Sequence, residues 1–370
     1  MTRRVLFCAT VVSHIKAFHI PYLQWFNKQG WEVHVAAHGD GVIPYVDKHY
    51  NISIQRSPFK VNNLKAYSEL KNIIRQNDYD IIHCHTPMGG VLTRLAARDA
   101  RASGTKVIYT AHGFHFFTGA SLTNWLIYYP VEKLLSRHTD CLITINEEDY
   151  IRAQSKKFKS NSILFVHGVG IDFDRFKPAS PERKRALRED YDIGQEDFVL
   201  IYAAELIKRK NQALLLRVMQ KLKSRIPTLK LLLAGQGELE ADYKKMSMDM
   251  GLDEVVTFLG HRSDMENLYA LADIAVSSSR QEGLPVNVME AIASGLPVVA
   301  TRVRGNRDLV GEGTHGFLVG LEEENEFVER VWTLYSNPQL RKEIADRRDS
   351  FTEQYSVPHV LGEVVPVYTD

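Results

Sequence analysis

A short motif with glutamates at both ends spans residues 282–290, with the sequence EGLPVNVME. It follows the apolar run DIAVSSS, which is typical of a buried strand, and Pro285 suits the first position of a helix. The amides of Gly283 and Leu284 would then lie at a helix N-terminus, where backbone N–H groups attract anions such as a diphosphate. Because Gly283 has no side chain, the backbone could also approach a ligand closely.

The two glutamates of this motif could recognise hydroxyl groups. Glu282 would lie just outside the helix, where it could accept hydrogen bonds from sugar hydroxyls. Glu290 would lie one to two turns into the helix and could accept a pair of hydrogen bonds from a ribose. The alternative is an ordinary solvated helix start.

Three adjacent cations, Lys208, Arg209 and Lys210, follow the apolar run FVLIYAAE and precede a helix predicted for 211–225. Cations at a helix N-terminus oppose the helix dipole, so their presence there favours a bound anion. Two cations within about 4 Å of a diphosphate could each contribute a few kcal/mol at intermediate dielectric. They would also stabilise a leaving diphosphate. The alternative is a basic helix end that faces water.

His83 and His85 alternate on the apolar run YDIIHCH, so they share one face of a predicted strand. They could form a metal pair, but no third or fourth ligand has suitable spacing, and we predict no metal site. Cys8, Cys84 and Cys141 stand alone in apolar runs, which is typical of reduced core cysteines in a cytosolic protein.

The chain that must position these residues has 370 residues, a length that favours two domains. Strand-like and helix-like segments alternate twice, which predicts two doubly wound parallel sheets. We place the N-terminal domain at 1–170 and the C-terminal domain at 171–350. A last helix, at about 351–370, is expected to cross back to the first domain. In such sheets, ligands bind at the carboxyl ends of the strands.

The composition limits the classes of function. Lys and Arg number 46 against 45 for Asp and Glu, which argues against broad nucleic-acid binding. Nowhere do 18 apolar residues follow one another, so no transmembrane helix is expected.

Several motifs together resemble one family. The E-x7-E pattern with GLP inside it is similar to the donor-site motif of family 4 glycosyltransferases. HGVGID at 167–172 resembles the family's segment before the interdomain linker, and FLGHRSDM at 258–265 resembles its base-binding loop. The runs IHCHTP, YTAHGFHFF, ITINEEDY and ELIKRKNQ resemble the branch that builds bacterial capsule, exopolysaccharide and lipid-linked surface glycans.

The resemblance covers essentially the whole chain and implies the α/β GT-B fold. In that fold two Rossmann-like domains face a central cleft, with the acceptor bound by the first domain and the nucleotide sugar by the second.

The resemblance assigns donor-binding roles in the second domain. Lys210 matches the family's diphosphate lysine, and Arg209 could supply a second charge. The arginine usual in this motif is replaced here by Glu205, so no diphosphate role is carried over to that position. His261 and Arg262 lie in the loop whose backbone would bind the nucleobase.

The resemblance also assigns roles in the first domain. His112 matches the histidine that reaches the reacting sugar and the acceptor, and His115 follows it closely. His14 lies in the first strand–helix loop, where the family often has a Gly-Gly pair that is absent here. We therefore expect His14 on the acceptor side rather than in a phosphate loop, and His85 in a packed or acceptor-lining role.

The aromatic stretch 114–138 could line an acceptor groove or touch a membrane surface, and Phe116 is our acceptor-binding candidate within it. The alternative is a helix packed into the core. Arg56 is a candidate for binding an acceptor phosphate; otherwise it is a surface residue.

The resemblance implies retention at the anomeric carbon and no metal requirement. Together these features predict a hexosyl- or N-acetylhexosaminyltransferase without a cofactor other than its UDP-sugar donor. The expected acceptor is a hydroxyl of a lipid-linked (polyprenyl) saccharide, reached at the inner face of the cell membrane in the cytoplasm by peripheral contact. The leaving phosphate would accept the proton. Two alternatives remain: a nucleotide-sugar epimerase on the same fold, and a non-catalytic partner subunit. The sequence does not predict the oligomeric state.

Overall fold

The computed structural model describes residues 2–369, which form two compact units. Unit 1 comprises the chain up to Gly170 together with the segment from Val357 onward, and unit 2 comprises Ile171–Ser356. The helix predicted at about 351–370 is two helices, Arg348–Tyr355 in unit 2 and Val357–Thr369 in unit 1. The chain therefore returns to unit 1 about six residues later than predicted.

Unit 1 is built on a sheet of parallel strands in the order β3-β2-β1-β4-β5-β6-β7. The inner strands are buried on both faces, which explains their continuous apolar sequences. The strand bounds are β1 Arg4–Val11, β2 Glu32–His38, β3 Lys48–Asn51, β4 Ile81–His85, β5 Lys106–Ala111, β6 Cys141–Thr144 and β7 Ser162–Phe165.

Helices connect most of these strands, as parallel pairing favours, but β2 leads to β3 through the helix-free segment 39–47. Their bounds are α1 Val12–Phe18, α2 Ile20–Lys28, α3 Asn62–Asn77, α4 Pro87–Ala96, α5 Arg98–Ala102, α6 Leu122–Leu135 and α7 Glu147–Ser155. A short 3-10 helix, Ser136–His138, follows α6.

The returning helix Val357–Thr369, labelled α17 below, completes the core of unit 1. Val360 and Val364 on this helix are buried against the first strands. The hydroxyl of Tyr368 is hydrogen-bonded to Nδ1 of His83 at 2.8 Å, and Glu363 accepts from the backbone N–H of His167 at 2.9 Å. The end of the described chain is thus part of the first unit's interior.

Unit 2 has a second parallel sheet, in the order β10-β9-β8-β11-β12-β13. Its strands are β8 Phe198–Ala203, β9 Leu229–Ala234, β10 Val256–Gly260, β11 Ile274–Ser277, β12 Val298–Thr301 and β13 Gly316–Val319. Its helices are α8 Pro181–Asp190, α9 Gln212–Leu222, α10 Glu240–Asp249, α11 Met265–Leu271, α12 Val286–Ala293, α13 Asn306–Leu309, α14 Glu324–Ser336, α15 Pro338–Asp346 and α16 Arg348–Tyr355.

Each sheet has a point where the strand order reverses. In unit 1 it lies between β1 and β4, and in unit 2 between β8 and β11. At such a point the loops leaving two neighbouring strands diverge and leave a crevice, which is where doubly wound proteins bind ligands. The two Rossmann-like units therefore each present one expected binding edge.

Among residues 2–369, no helix has both the length and the apolar character that a bilayer-spanning segment needs.

Candidate functional site

The reversal point of unit 2 brings together the cationic run and the EGLP motif. Nζ of Lys210, in the loop after β8, lies 2.5 Å from Oε1 of Glu282, in the loop after β11. Nη1 of Arg209 lies 3.4 Å from Oε2 of the same carboxylate, and Ser279 donates a hydrogen bond to it at 2.5 Å. Lys210 and Glu282, 72 residues apart along the chain, thus form one cluster with Arg209.

The cluster holds two cations around one buried carboxylate. Glu282 is only 6% exposed, so its charge depends on these partners for compensation. Arg209 is more accessible than Lys210, and its guanidinium also donates to the carbonyl of Gln281 at 3.1 Å. The set carries one net positive charge, which suits an anionic ligand near the mouth of the loop.

The backbone of the EGLP turn differs slightly from expectation. Pro285 lies immediately before α12, in an extended conformation with φ −78° and ψ 114°, rather than at the first helical position. Its carbonyl accepts the N–H groups of Val288 and Met289. Gly283 and Leu284 still directly precede the helix, so their position for an anion is retained.

A third loop, which follows β12, supports the EGLP turn and was not predicted from the sequence. Nε of Arg304 donates to the carbonyl oxygen of Glu282 at 3.0 Å. Gly305 has φ +78°, and a Cβ there would lie 2.4 Å from the carbonyl oxygen of Gly283. The signal available in the sequence was the run RVRGNR at 302–307, a glycine in a basic segment that follows the buried run PVVAT.

Glu290 lies on α12 with its carboxylate largely enclosed. The hydroxyl of Tyr269 donates to Oε2 of Glu290 at 3.3 Å and to the carbonyl of Asn287 at 3.1 Å. Burial raises the pKa of Glu290 to about 7, although the bond from Tyr269 and the charge of Arg175 act in the opposite direction. This carboxyl therefore changes charge near neutral pH.

The other unit 2 candidates lie in the loop after β10. His261 is exposed, whereas Arg262 is paired with Asp264 through Nε at 2.8 Å. Hydrogen bonds from Arg262 lower the pKa of Asp264 to about 2. Glu205, the residue that replaces the family's arginine, is exposed and takes no part in the Glu282 cluster among the contacts of the described residues.

Unit 1 gathers its histidines at the reversal point of its own sheet. His14 lies inside α1 rather than in a loop, and His112 directly follows β5. The rings of His14 and His112 have centroids 4.7 Å apart, and His19, which sequence reasoning missed, is stacked on His85 at 3.8 Å. His19 stands just before Pro21, at the start of α2.

His19 and His85 are buried, and His14 and His112 are half-buried. Burial lowers the pKa of His19, His85 and His112 well below the ordinary value, and charge on neighbouring imidazoles would lower it further. Burial, followed by the positive charge of Arg56, lowers the pKa of His14 to about 4. Neutral imidazoles can donate and accept hydrogen bonds, or bind a metal.

The fold gathers a group of three histidines that does not include the His83 and His85 pair considered from the sequence. One nitrogen from each of His14, His19 and His112 lies within 4.8 Å of the others. Nε2 of His14 and both ring nitrogens of His19 have no hydrogen-bond partner among the described residues. These three residues could hold a metal, but the same nitrogens equally suit hydroxyl groups of a sugar.

Two acceptor-binding predictions need correction. Phe116 is 0% exposed and packs on Phe114 and Trp125 in the core, so it does not face an acceptor. His85 is 1% exposed and lies beneath His19 and His112. Of the two roles considered for it, it therefore has the packed one and does not line an acceptor site.

His115 and Arg56 are more accessible. The ring of His115 stacks on Tyr128 with centroids 4.6 Å apart and lines an apolar cavity of about 440 Å³. Arg56 is exposed, in the segment that leads to α3. The aromatic stretch therefore divides into a packed part around Phe116 and a surface part around α6.

Two family models match the chain. "Glycosyl transferases group 1" matches residues 183–350, which belong to unit 2, and "Glycosyl transferase 4-like" matches residues 4–146 of unit 1. Each match covers the candidate residues of its own unit.

Known proteins resemble the chain over most of its length. EpsD of Bacillus subtilis (strain 168), which is named as a glycosyltransferase, is 47% identical over 369 residues, covering 100% of this chain and 97% of EpsD. The UDP-Gal:alpha-D-GlcNAc-diphosphoundecaprenol alpha-1,3-galactosyltransferase of Escherichia coli is 26% identical, covering 84% of this chain and 80% of its own. The crystal structure of Anabaena HepE in complex with UDP has a TM-score of 0.82 at 20% identity, with 100% of both chains covered.

Proposed function

This chain belongs to the group 1, GT4-like glycosyltransferases and has their GT-B fold, and on that premise we propose that it transfers a sugar from UDP to an acceptor hydroxyl with retention. The observation that carries the proposal is the cluster of Lys210 and Arg209 around Glu282 at the reversal point of unit 2. Unit 2 would bind the donor and unit 1 the acceptor.

The leaving diphosphate would be stabilised by positive charge and by backbone amides. Lys210 and Arg209 supply the charge, and the amides of Gly283 and Leu284 supply donors beside the helix end of α12. Glu282 holds Lys210 in place and, with its remaining hydrogen-bonding capacity, would orient the sugar hydroxyls. Because these cations would stabilise the leaving diphosphate in place of a metal ion, transfer should be metal-independent.

The nucleoside would be held further along the same edge. Glu290 would accept hydrogen bonds from the ribose hydroxyls, and the backbone of the loop carrying His261 and Arg262 would contact the base. HepE, whose crystal structure contains UDP, has the same fold, which supports UDP as the nucleotide.

His112 would be the residue through which unit 1 acts on the reacting group. Its low pKa makes it a weak base, so it suits a hydrogen bond better than removal of the acceptor proton. The proton would therefore pass to the leaving phosphate, on the same face as the departing UDP. A product with inverted anomeric configuration in its NMR spectrum would contradict this step.

The acceptor would be a saccharide joined to a polyprenyl diphosphate, used for capsule, exopolysaccharide or another surface glycan. The Escherichia coli relative acts, by its name, on a diphosphoundecaprenol acceptor, which supports this class. Such an acceptor would place the enzyme at the inner face of the cell membrane.

The first experiment is a thermal-shift titration with a panel of nucleotides and UDP-sugars. A ligand at about 100 times its dissociation constant should add about 2.7 kcal/mol to the stability of the domain that binds it. We expect a UDP-selective shift that is lost in Glu290→Ala and kept in the control Glu254→Ala, an exposed glutamate of unit 2. No shift with any nucleotide would overturn the donor site.

Turnover then separates the alternatives. Conversion of the UDP-sugar without any acceptor would favour an epimerase, and UDP binding without turnover on any lipid-linked acceptor would favour a partner subunit. Full activity after dialysis against EDTA is expected, and activity restored only by a divalent metal would contradict metal independence.

A further inference from the structure

We propose that the apolar cavity of unit 1 binds the hydrocarbon chain of the lipid acceptor, with Arg56 at its diphosphate. This inference rests on the proposed function, which requires a lipid-linked acceptor but does not say where its chain lies. The cavity, the side chains at its mouth and the charge beside it each point to this occupant.

The cavity lies between α3, α4 and α6 and has a volume of about 440 Å³. Its walls are apolar and aromatic, with Leu64 and Tyr67 from α3, Val91 and Leu95 from α4, and Ile127 from α6. A site of this size and lining is within the range of small-molecule pockets and offers little to a polar ligand. It therefore suits a hydrocarbon segment.

The cavity's one acidic lining residue is already neutralised. Oε2 of Glu132 accepts from Arg94 at 2.8 Å, and its other oxygen accepts from the hydroxyl of Tyr109 at 3.3 Å. The guanidinium of Arg94 also lies 3.9 Å from the centre of the Tyr109 ring. With its charge compensated in this way, Glu132 does not oppose an apolar occupant.

Exposed apolar side chains are concentrated around this cavity. Within residues 2–369, eight of the thirteen exposed large apolar side chains lie on the segments 59–64 and 122–134. Phe59 is 82% exposed, Leu64 is 72% exposed, and Leu126 on α6 is 76% exposed. A cluster of this kind beside an apolar cavity marks a surface that meets an apolar partner.

Basic residues lie next to the cavity in the sequence, where the diphosphate of a lipid-linked saccharide would need positive charge. Arg56, Lys60 and Lys65 lie on the segment that borders the cavity at Pro58 and Leu64, and no acidic residue occurs between Asp47 and Glu69.

Arg56 stands two residues before Pro58, which lines the cavity, and its positive charge lowers the pKa of His14. Gly113, another lining residue, directly follows His112. Apolar chain, diphosphate and reacting saccharide would thus meet the cavity, Arg56 and the histidines in turn.

The test is calorimetric binding of farnesyl diphosphate, a water-soluble polyprenyl diphosphate, compared with inorganic diphosphate. We expect the farnesyl compound to bind at least tenfold more tightly and with a more negative heat-capacity change, because apolar surface is buried. Val91→Trp, which fills the cavity, should abolish this difference, whereas Val42→Trp, at an exposed position of the same unit, should keep it. Arg56→Ala should weaken both ligands.

Ile127→Glu provides a second variant if Val91→Trp does not fold. Ile127 lies at the mouth of the cavity and is 41% exposed, and Ile151→Glu, at a 54% exposed position on α7, is its matched control. We expect loss of farnesyl diphosphate binding in the first and not in the second.

Equal binding of farnesyl and inorganic diphosphate by the wild-type protein would overturn the proposal. So would Val91-dependent binding to phosphatidylcholine vesicles without farnesyl diphosphate binding, which would assign the cavity to bilayer lipid. UDP binding, measured on the same samples, tests the proposed function separately, because it depends on unit 2 alone.

Discussion

The ion pair of Lys210 and Glu282 fixes the position of a cation in the proposed donor site before any ligand binds. The Glu282 carboxylate lies 2.5 Å from the ammonium group of Lys210 and holds it in position. The hydroxyl of Ser279 and the guanidinium of Arg209 also donate to this carboxylate. The pair is preorganised, so little side-chain entropy need be lost when an anion binds. Lys208, the adjacent cation, is exposed and is not part of this arrangement.

We expect Lys210→Ala to lower kcat/KM for the UDP-sugar by about 100-fold, since one donor to a developing negative charge contributes about this much. Lys208→Ala, which removes the same charge two residues away at an exposed position, should change kcat/KM less than about threefold. Steady-state kinetics measures both. Equal losses of kcat/KM in the two variants would mean that the cations act only through long-range electrostatic attraction and not through a specific contact.

Donor binding should depend on pH through Glu290. Its carboxyl carries a proton below about pH 7 and accepts two ribose hydrogen bonds best when ionised, so the affinity should rise with pH. Between pH 6 and pH 8 we expect about a tenfold decrease in the Kd of a UDP-sugar, whose phosphates do not titrate in this range. Glu290→Gln should bind more weakly with a flat profile, and a tenfold change that persists in this variant would assign the titration to another group.

At the scale of elements, the proposed donor site depends on three loops that leave neighbouring strands, β8, β11 and β12. The third loop supports the turn before α12 from below: Arg304 donates to Glu282, and Gly305 lies against Gly283. The turn is thus held in shape by the Arg304 side chain and by a close backbone approach at Gly305 that leaves no room for a side chain.

We expect Gly305→Ala to displace the turn and weaken UDP binding by about tenfold or more, because the new Cβ would overlap the carbonyl of Gly283. Gly313→Ala is a matched control, since Gly313 has a similar φ of +73° and open space around it. Both changes strain the backbone, but only the first should alter the Kd for UDP, measured by calorimetry. Similar effects from both would attribute the loss to general destabilisation.

Elements were easier to predict than contacts between them. The alternation of apolar and amphipathic segments indicates both parallel sheets, because each buried strand leaves a continuous apolar run. The convergence of His14, His19 and His112, or of Lys210 and Glu282, depends on strand order, which no local pattern encodes. Phe116 was misplaced because an aromatic residue looks the same in a core and in a groove.

At the scale of the whole molecule, unit 1 is assembled from two distant parts of the chain. Helix α17 supplies Val360 and Val364 to its core and the Tyr368 hydroxyl to the buried His83. His83 is also bonded to Thr110 at 2.8 Å, so both of its ring nitrogens are satisfied only when α17 is in place.

We therefore expect Tyr368→Phe to lower the free energy of unfolding of unit 1 by about 1–3 kcal/mol, the cost of leaving a buried polar atom without a partner. Tyr50→Phe removes a hydroxyl bonded to Asn77 at a partly exposed position, where water can replace the lost bond, and should cost less than about 1 kcal/mol. We expect UDP to stabilise unit 2, so calorimetric unfolding with UDP present would separate the two transitions. Equal costs in the two variants would show that α17 docks without this bond.

The discontinuity of unit 1 also determines the order in which the protein can mature on the ribosome. All of unit 2, Ile171–Ser356, is translated before α17 emerges. Until then the apolar surface of unit 1 that α17 covers, around Trp25 and Phe26, is exposed to water or to a chaperone. Unit 2 can thus reach its native state first, and unit 1 is completed only after α17 has been made.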